Sequence, residues 1–270
     1  MNIGWLSTGR DPAARNLLAD IVGRAELDDI PLNIPVVFCD REPGESAESD
    51  LFLALADDLG FSRVCLSSAH SWQVAQAGGD SRDQWRTDFH DWAVRLLEPF
   101  ALDVLVLAGY MLIVSPAMCT RYAMLNLHPA LPGGPTGTWQ QVIWTLLGTA
   151  AAETGAMIHV VTPELDRGPV VAFDRFPIVG DGFDPLWPAF RQKVAATGLA
   201  ATAAAEGETE PLFAAVRSRG EQREIPLLYQ TVKAFVSGRL RTVGGSVSGD
   251  GVTLPLDLTA EVSAELEARG

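Results

Sequence analysis

Two polar residues, Asn126 and His128, interrupt the otherwise apolar segment LDVLVLAGYMLIVSPAMCTRYAMLNLHPALPGG. An amide and an imidazole so close together can both offer hydrogen-bonding groups to a crevice. Spacing by two puts both on one face of a strand end, with Leu125 and Leu127 on the other. Pro129 then fixes the exit of the chain. Downstream, in ETGAMIHVVTPELDRGPVVAFDRFPI, His159 falls mid-strand between Ile158 and Val160. Asp166 falls in a Gly/Pro-flanked loop, from which a carboxylate can reach an imidazole across a crevice. Taken singly, each has a plainer reading: a satisfied polar strand edge, a hydrogen-bonded core histidine, a solvated loop aspartate.

The elements that must carry these residues alternate short apolar runs with amphipathic stretches, the pattern of parallel strands joined by helices. Strands are expected at Asn2–Ser7, Ile34–Cys39, Arg63–Leu66, Val104–Leu107, Ala123–Leu127, Ala156–Val161 and Val170–Phe176. Helical spacing marks Ala13–Val22, Ala47–Leu59, Arg82–Leu97 and Gln140–Leu147, with Trp85, Phe89, Trp92 and Leu96 as one apolar stripe. The fold class is therefore α/β, a doubly wound and mostly parallel sheet. Its crevice lies beyond the carboxyl ends of the strands, in the loops after Ser7, Leu107 and Leu127. Past Pro177 the texture changes: 180–188 reads as a Gly/Asp/Pro loop, 194–205 as a peripheral Ala-rich helix, and Glu221–Ser237 regains helical spacing. The segment RLRTVGGSVSGDGVTLPL then reads as two short strands around a Gly/Ser/Asp turn, followed by a polar C-terminal end.

Composition bounds the partners. The chain has 270 residues, 47% of them hydrophobic, enough for one sizeable core. A formal charge of −14 repels phosphate backbones and anionic lipid, which argues against nucleic acid and membrane surfaces while leaving room for a local basic pocket. Cys39, Cys65 and Cys119 sit far apart in apolar contexts and read as reduced core residues of a cytoplasmic protein. The N-terminal MNIGWLSTGRD has no export pattern, and the apolar run from Val104 to Val114 is shorter than the roughly 20 residues of a membrane span. The four histidines have no Cys or His neighbour at metal-ligand spacing, so no metal is expected.

AGYMLIVSP, then LNLHPALPG, then TGAMIHVVTPELDRGPV together resemble the folate-dependent formyltransferase family, most closely its branch that formylates glycinamide ribonucleotide in purine biosynthesis. That family carries an AGFM-x-x-x-SP loop, an N-x-HPSLLP strand end and a G-x-x-x-H-x-V-x-x-x-x-D-x-G-P segment. The resemblance covers roughly residues 1–180 and the helix at 221–240. It implies a Rossmann-like core at 1–180, a helical insertion at 181–220, and a C-terminal helix with a β-hairpin tail at 221–270. It also implies formyl transfer from 10-formyltetrahydrofolate, a co-substrate, to an amine. The catalytic group implied is Asn126, His128 and Asp166, with His159 in support. Tyr110, Met111, Leu112, Ile113 and Val114, with Val161 and Glu164, are the implied folate contacts. Leu112 stands where the family usually has Arg.

The departure lies after the first strand. The family's S-G-x-G-S-N turn, which holds a ribose phosphate on backbone N–H groups, is replaced by STGRDPAARNLL. Gly9 and Asn16 match only if the loop opens, Pro12 removes a donor, and Arg10 and Arg15 are new cations able to hold an anion. Arg82 matches the family's second phosphate contact, and Glu224 its reader of ribose hydroxyls. A phosphorylated amine is the implied partner. The alternatives left open are a formyltransferase for another amine, such as an amino sugar or sugar nucleotide, and a non-catalytic folate-binding relative. The 181–220 segment either covers the substrate site or makes a subunit contact, as in a homodimer.

Overall fold

The computed structural model describes residues 1–180 and 182–269; Asp181 and Gly270, at the edges of the expected insertion and tail, lie outside the described residues. Contacts divide the chain into two compact units, Met1–Asn126 with His159–Pro169 and Thr231–Leu254, and Leu127–Ile158 with Val170–Gln230 and Pro255–Gly270.

The first unit is built on β1 (Asn2–Ser7), β2 (Asn33–Cys39), β3 (Ser62–Cys65), β4 (Val104–Leu107) and the start of β5 (Met124–His128). They run parallel in the order β3-β2-β1-β4-β5. Strands covered on both faces read as unbroken apolar runs, which is why VLVL at β4 is buried at all four positions. The connecting helices are α1 (Pro12–Leu27), α2 (Ala47–Asp58), α3 (Ser68–Gly78), α4 (Arg82–Leu97) and α5 (Pro116–Arg121). Trp85, Phe89, Ala93 and Leu97 of α4 pack on Leu6, Phe38 and Leu107. The expected stripe is thus corrected at its second half: Trp92 is 58% exposed and Leu96 38% exposed, and the buried face continues through Ala93 and Leu97. The helix α3 was not expected, because none of its residues is buried and its sequence carries no apolar stripe.

The second unit holds the end of β5, α6 (Trp139–Gly148), most of β6 (Glu153–Val160) and β7 (Val170–Pro177), followed by α7 (Trp187–Thr197), α8 (Leu199–Glu206) and most of α9 (Pro211–Val236). Its core gathers Leu146, Phe176, Ile178, Trp187, Phe190 and Phe213. The Ala-rich stretch at 194–205 is two helices, because Gly198 at φ +86° breaks the run between α7 and α8. The helix expected at Glu221–Ser237 is the second half of the longer α9, which continues through Pro226.

The hairpin is tighter than expected. Strands β8 (Leu240–Val243) and β9 (Ser246–Gly249) pair antiparallel across Gly244 and Gly245, so SVSG is strand rather than turn. Beyond it, β10 (Leu256–Asp257) pairs parallel with β7, and α10 (Thr259–Arg269) replaces the polar end. Asp174 on β7 and Arg223 on α9 form a buried bidentate ion pair at 2.5 and 2.6 Å, and Arg223 also donates to Ser263 on α10 at 2.9 Å. Among the described residues no helix is long and apolar enough to cross a membrane.

Candidate active site

In the first unit, the chain leaving β4 is tied to the chain leaving β1. Ala108 N–H donates to the Leu6 carbonyl at 2.8 Å, and Thr8 N–H donates to the Gly109 carbonyl at 3.1 Å. Gly109 sits at φ +72°, where L side chains are strained. The Thr8 hydroxyl then accepts Met111 N–H at 3.0 Å. These bonds hold Tyr110–Val114 as one wall of a cleft of about 150 Å³, with Val161, Thr162 and Leu165 opposite. Six of the seven expected folate contacts therefore line one cleft. Glu164 is not part of that lining; its carbonyl accepts from the Thr162 hydroxyl at 3.1 Å and Arg167 N–H at 3.3 Å, which folds the loop.

Asn126, His159 and Asp166 form the polar end of the same cleft. His159 Nδ1 lies 3.1 Å from the Val160 carbonyl, which can only accept, so in the neutral ring Nδ1 carries the hydrogen. Nε2 is then the acceptor for the Asn126 amide at 3.2 Å. The Asp166 carboxylate stands 3.8 Å from the same Nε2, too long for a hydrogen bond but close enough to pair with the ring if it takes a proton. Asp166 adopts φ +54°, a left-handed conformation that aspartate tolerates better than most residues. Two residues on, a Cβ at Gly168 would lie 1.7 Å from the Val160 carbonyl oxygen. The loop doubles back that tightly because Val160 N–H donates to the Pro169 carbonyl at 2.9 Å.

His128 belongs to the second unit, buried at 3% exposure in a turn closed by Ala130 N–H to its own carbonyl and Gly134 N–H to Leu131. Its Nε2 donates to the Pro135 carbonyl at 2.9 Å, which sets the neutral tautomer. Glu224, on α9 in that unit, accepts from Arg217 at 2.9 Å. Burial pushes the Glu224 carboxyl above its usual range and Arg217 pulls it back. Arg217 also bonds Glu221 at 2.8 Å and lies 4.4 Å over the Trp139 ring.

The residues expected at a phosphate have partners within the first unit. Gly9 is buried at φ +59° with a would-be Cβ 2.9 Å from Phe52, and its N–H donates to Ser7 Oγ at 3.1 Å. Arg10 pairs with Asp11 at 3.3 Å, Arg15 pairs with Glu48, and Asn16 is exposed on α1. Arg82, in the first turn of α4, lies 3.9 Å over the Trp72 ring and 5.3 Å from Trp85.

Sequence reasoning missed Thr8 and His90. His90 is fully buried on α4; its Nδ1 donates to the Arg86 carbonyl at 2.8 Å and its Nε2 meets the Tyr110 hydroxyl at 3.3 Å. Burial pushes the imidazole down to about 4 and the Tyr110 phenol well above its usual value. A hydroxyl directly after the central strand was the one available signal for Thr8. His90 gave none, since its partner is far away in sequence. Among the described residues no three His, Cys, Asp or Glu side chains gather as a metal site would require.

A family profile described as formyl transferase matches residues 68–183. The phosphoribosylglycinamide formyltransferase of Escherichia coli K12 is 33% identical over 141 residues, 50% of this chain and 63% of that protein. The chain thus spans less than two thirds of that relative's length. The Mycobacterium tuberculosis H37Rv protein of the same name is 30% identical over 181 residues, 66% of this chain and 72% of that one. In fold, the chain resembles the solved phosphoribosylglycinamide formyltransferase of Coxiella burnetii at a TM-score of 0.63 and 20% identity, covering 93% and 94% of the two chains.

Proposed function

The chain belongs to the formyl transferase family, and from that premise we propose that it moves the formyl group of 10-formyltetrahydrofolate onto a primary amine. The observation that carries this reading is the grouping of Asn126, His159 and Asp166 at the polar end of an apolar cleft. A flat, largely apolar ring fits between Tyr110–Val114 and Val161–Leu165, with backbone groups available to its polar edge. Attack of the amine on the formyl carbon places negative charge on oxygen. Asn126 donates to that oxyanion while His159 holds its amide, and the His128 imidazole serves as a further proton donor. Asp166 orients an imidazole or a relaying water as the proton passes from the amine to the leaving folate nitrogen.

The amine suggested by the relatives' names is glycinamide ribonucleotide. A second reading, an amine of another class, is favoured by Asp11, whose carboxylate caps α1 by accepting Ala14 N–H at 3.1 Å. The free thiols of Cys39, Cys65 and Cys119 support a reducing, cytoplasmic setting. The test is loss of formyl from the co-substrate, followed by absorbance, with and without glycinamide ribonucleotide. Release that depends on the amine supports the reading. A protein that neither binds a folate analogue nor releases formyl to any amine refutes it.

A further inference from the structure

The loop from β1 into α1 is the place where a phosphorylated amine would have to be gripped, and its donors are already spent. Gly9 N–H donates to Ser7 Oγ at 3.1 Å, Pro12 has no N–H, and Ala14 N–H donates to Asp11 at 3.1 Å. The Asp11 carboxylate occupies the position at the helix N-terminus that an incoming anion would need. Both cations of the loop are engaged by carboxylates of the same unit, Arg10 by Asp11 and Arg15 by Glu48.

The chain packed behind the loop is acidic as well. Ser49 Oγ donates to the Thr8 carbonyl at 3.1 Å, so the segment around it lies against the loop. Segments 8–16 and 40–50 together hold Asp11, Asp40, Glu42, Glu45, Glu48 and Asp50 against Arg10, Arg15 and Arg41, six carboxylates to three guanidiniums. Asp40 is 2% exposed; its Oδ2 accepts from Ser68 at 3.0 Å and its Oδ1 has no hydrogen-bond partner among the described residues. These groups are acceptors in want of donors, whereas a phosphate is itself an acceptor with two negative charges.

We infer that the amine substrate carries no phosphate at this loop and instead ends in neutral hydroxyl groups, whose O–H donors suit Asp11 and its neighbours. This rests on the formyl-transfer reading above for the reaction, and on Asp11 for the substrate class.

Two measurements on the full chain decide it. The first compares glycinamide riboside with its 5′-phosphate as formyl acceptors. The riboside is expected to be used at least about tenfold better in kcat/KM. In Asp11→Ser, where serine still caps the helix, the phosphorylated acceptor should gain about tenfold while the riboside changes little. The second is calorimetry with ribose 5-phosphate, which needs no turnover. No heat from the wild type, with binding gained in Asp11→Ser or Asp11→Asn, upholds the inference even if neither amine is formylated, an outcome that would count against the proposed acceptors alone. Preference for the phosphorylated acceptor, or submillimolar binding of ribose 5-phosphate by the wild type, overturns it.

Discussion

The Asn126 amide nitrogen and His159 Nε2 face each other across 3.2 Å, and the Val160 carbonyl on the far side of the imidazole dictates which partner donates. The amide is thereby held with its nitrogen toward the ring, and its orientation is part of the strand rather than a free rotor. Asn126→Ala should lower kcat by about a hundredfold to a thousandfold, the loss typical of one oxyanion donor. His159→Ala should cost less, because it loosens the donor without removing it. Single-turnover formyl transfer alongside folate-analogue binding checks this, and an Asn126→Ala enzyme at wild-type speed would refute the assigned role.

His128→Ala and Asp166→Asn should each slow transfer by about two to four orders of magnitude. Binding of a folate analogue should move much less, since the cleft walls are apolar side chains and backbone. Steady-state assays on folded, purified variants give the answer, with near-normal turnover in either one excluding it from the chemistry.

Gly168→Ala should destabilise the fold by several kcal/mol, because a methyl 1.7 Å from the Val160 carbonyl oxygen forces the loop open. Folate-analogue affinity should fall with it, since Val161, Leu165 and Asp166 ride on that loop. Thermal denaturation with and without the analogue reads both effects. A wild-type melting temperature in the variant would contradict the close approach.

His90 makes stability depend on pH. Its imidazole takes a proton near pH 4 when folded and near 6.5 when free, so between those values the unfolded chain binds more protons. Stability from this residue is intact above pH 6.5 and is lost as pH falls, by about 2 kcal/mol between pH 7 and pH 5. Urea denaturation at the two pH values should show a smaller decline in His90→Gln, which keeps an acceptor for the Tyr110 hydroxyl. An equal decline in both proteins would show that another group sets it.

What could be read in advance follows from where free energy concentrates. Strands β1 and β4 begin and end as their apolar runs do, because a strand covered on both faces must be apolar throughout. The helix α3 escaped because only Trp72 and Ala75 reach the core, each partly buried, and α10 escaped because among its described residues only Val262 is fully buried. Asn126, His159 and Asp166 were legible together only through the motifs they share with the formyltransferase family, since each taken singly has a plainer reading. That Thr8 braces Met111 and that His90 braces Tyr110 was not, since those bonds join residues with no periodic relation. The arginines after β1 were read as free cations; their carboxylate partners, Glu48 above all, come from a different helix.

The pairing of β10 with β7 has a consequence for biogenesis. Leu256 and Asp257 lie opposite Ala172 and Phe173, so one flank of β7 waits for its partner until translation has moved from residue 177 to residue 256. At bacterial-scale elongation of about 5–20 residues per second, that delay is on the order of 4–16 s. Throughout it, the nascent strand offers unpaired N–H and C=O groups to any neighbour on the polysome. A premature stop before codon 256 would make that exposure permanent, and the shortened product should collect in inclusion bodies.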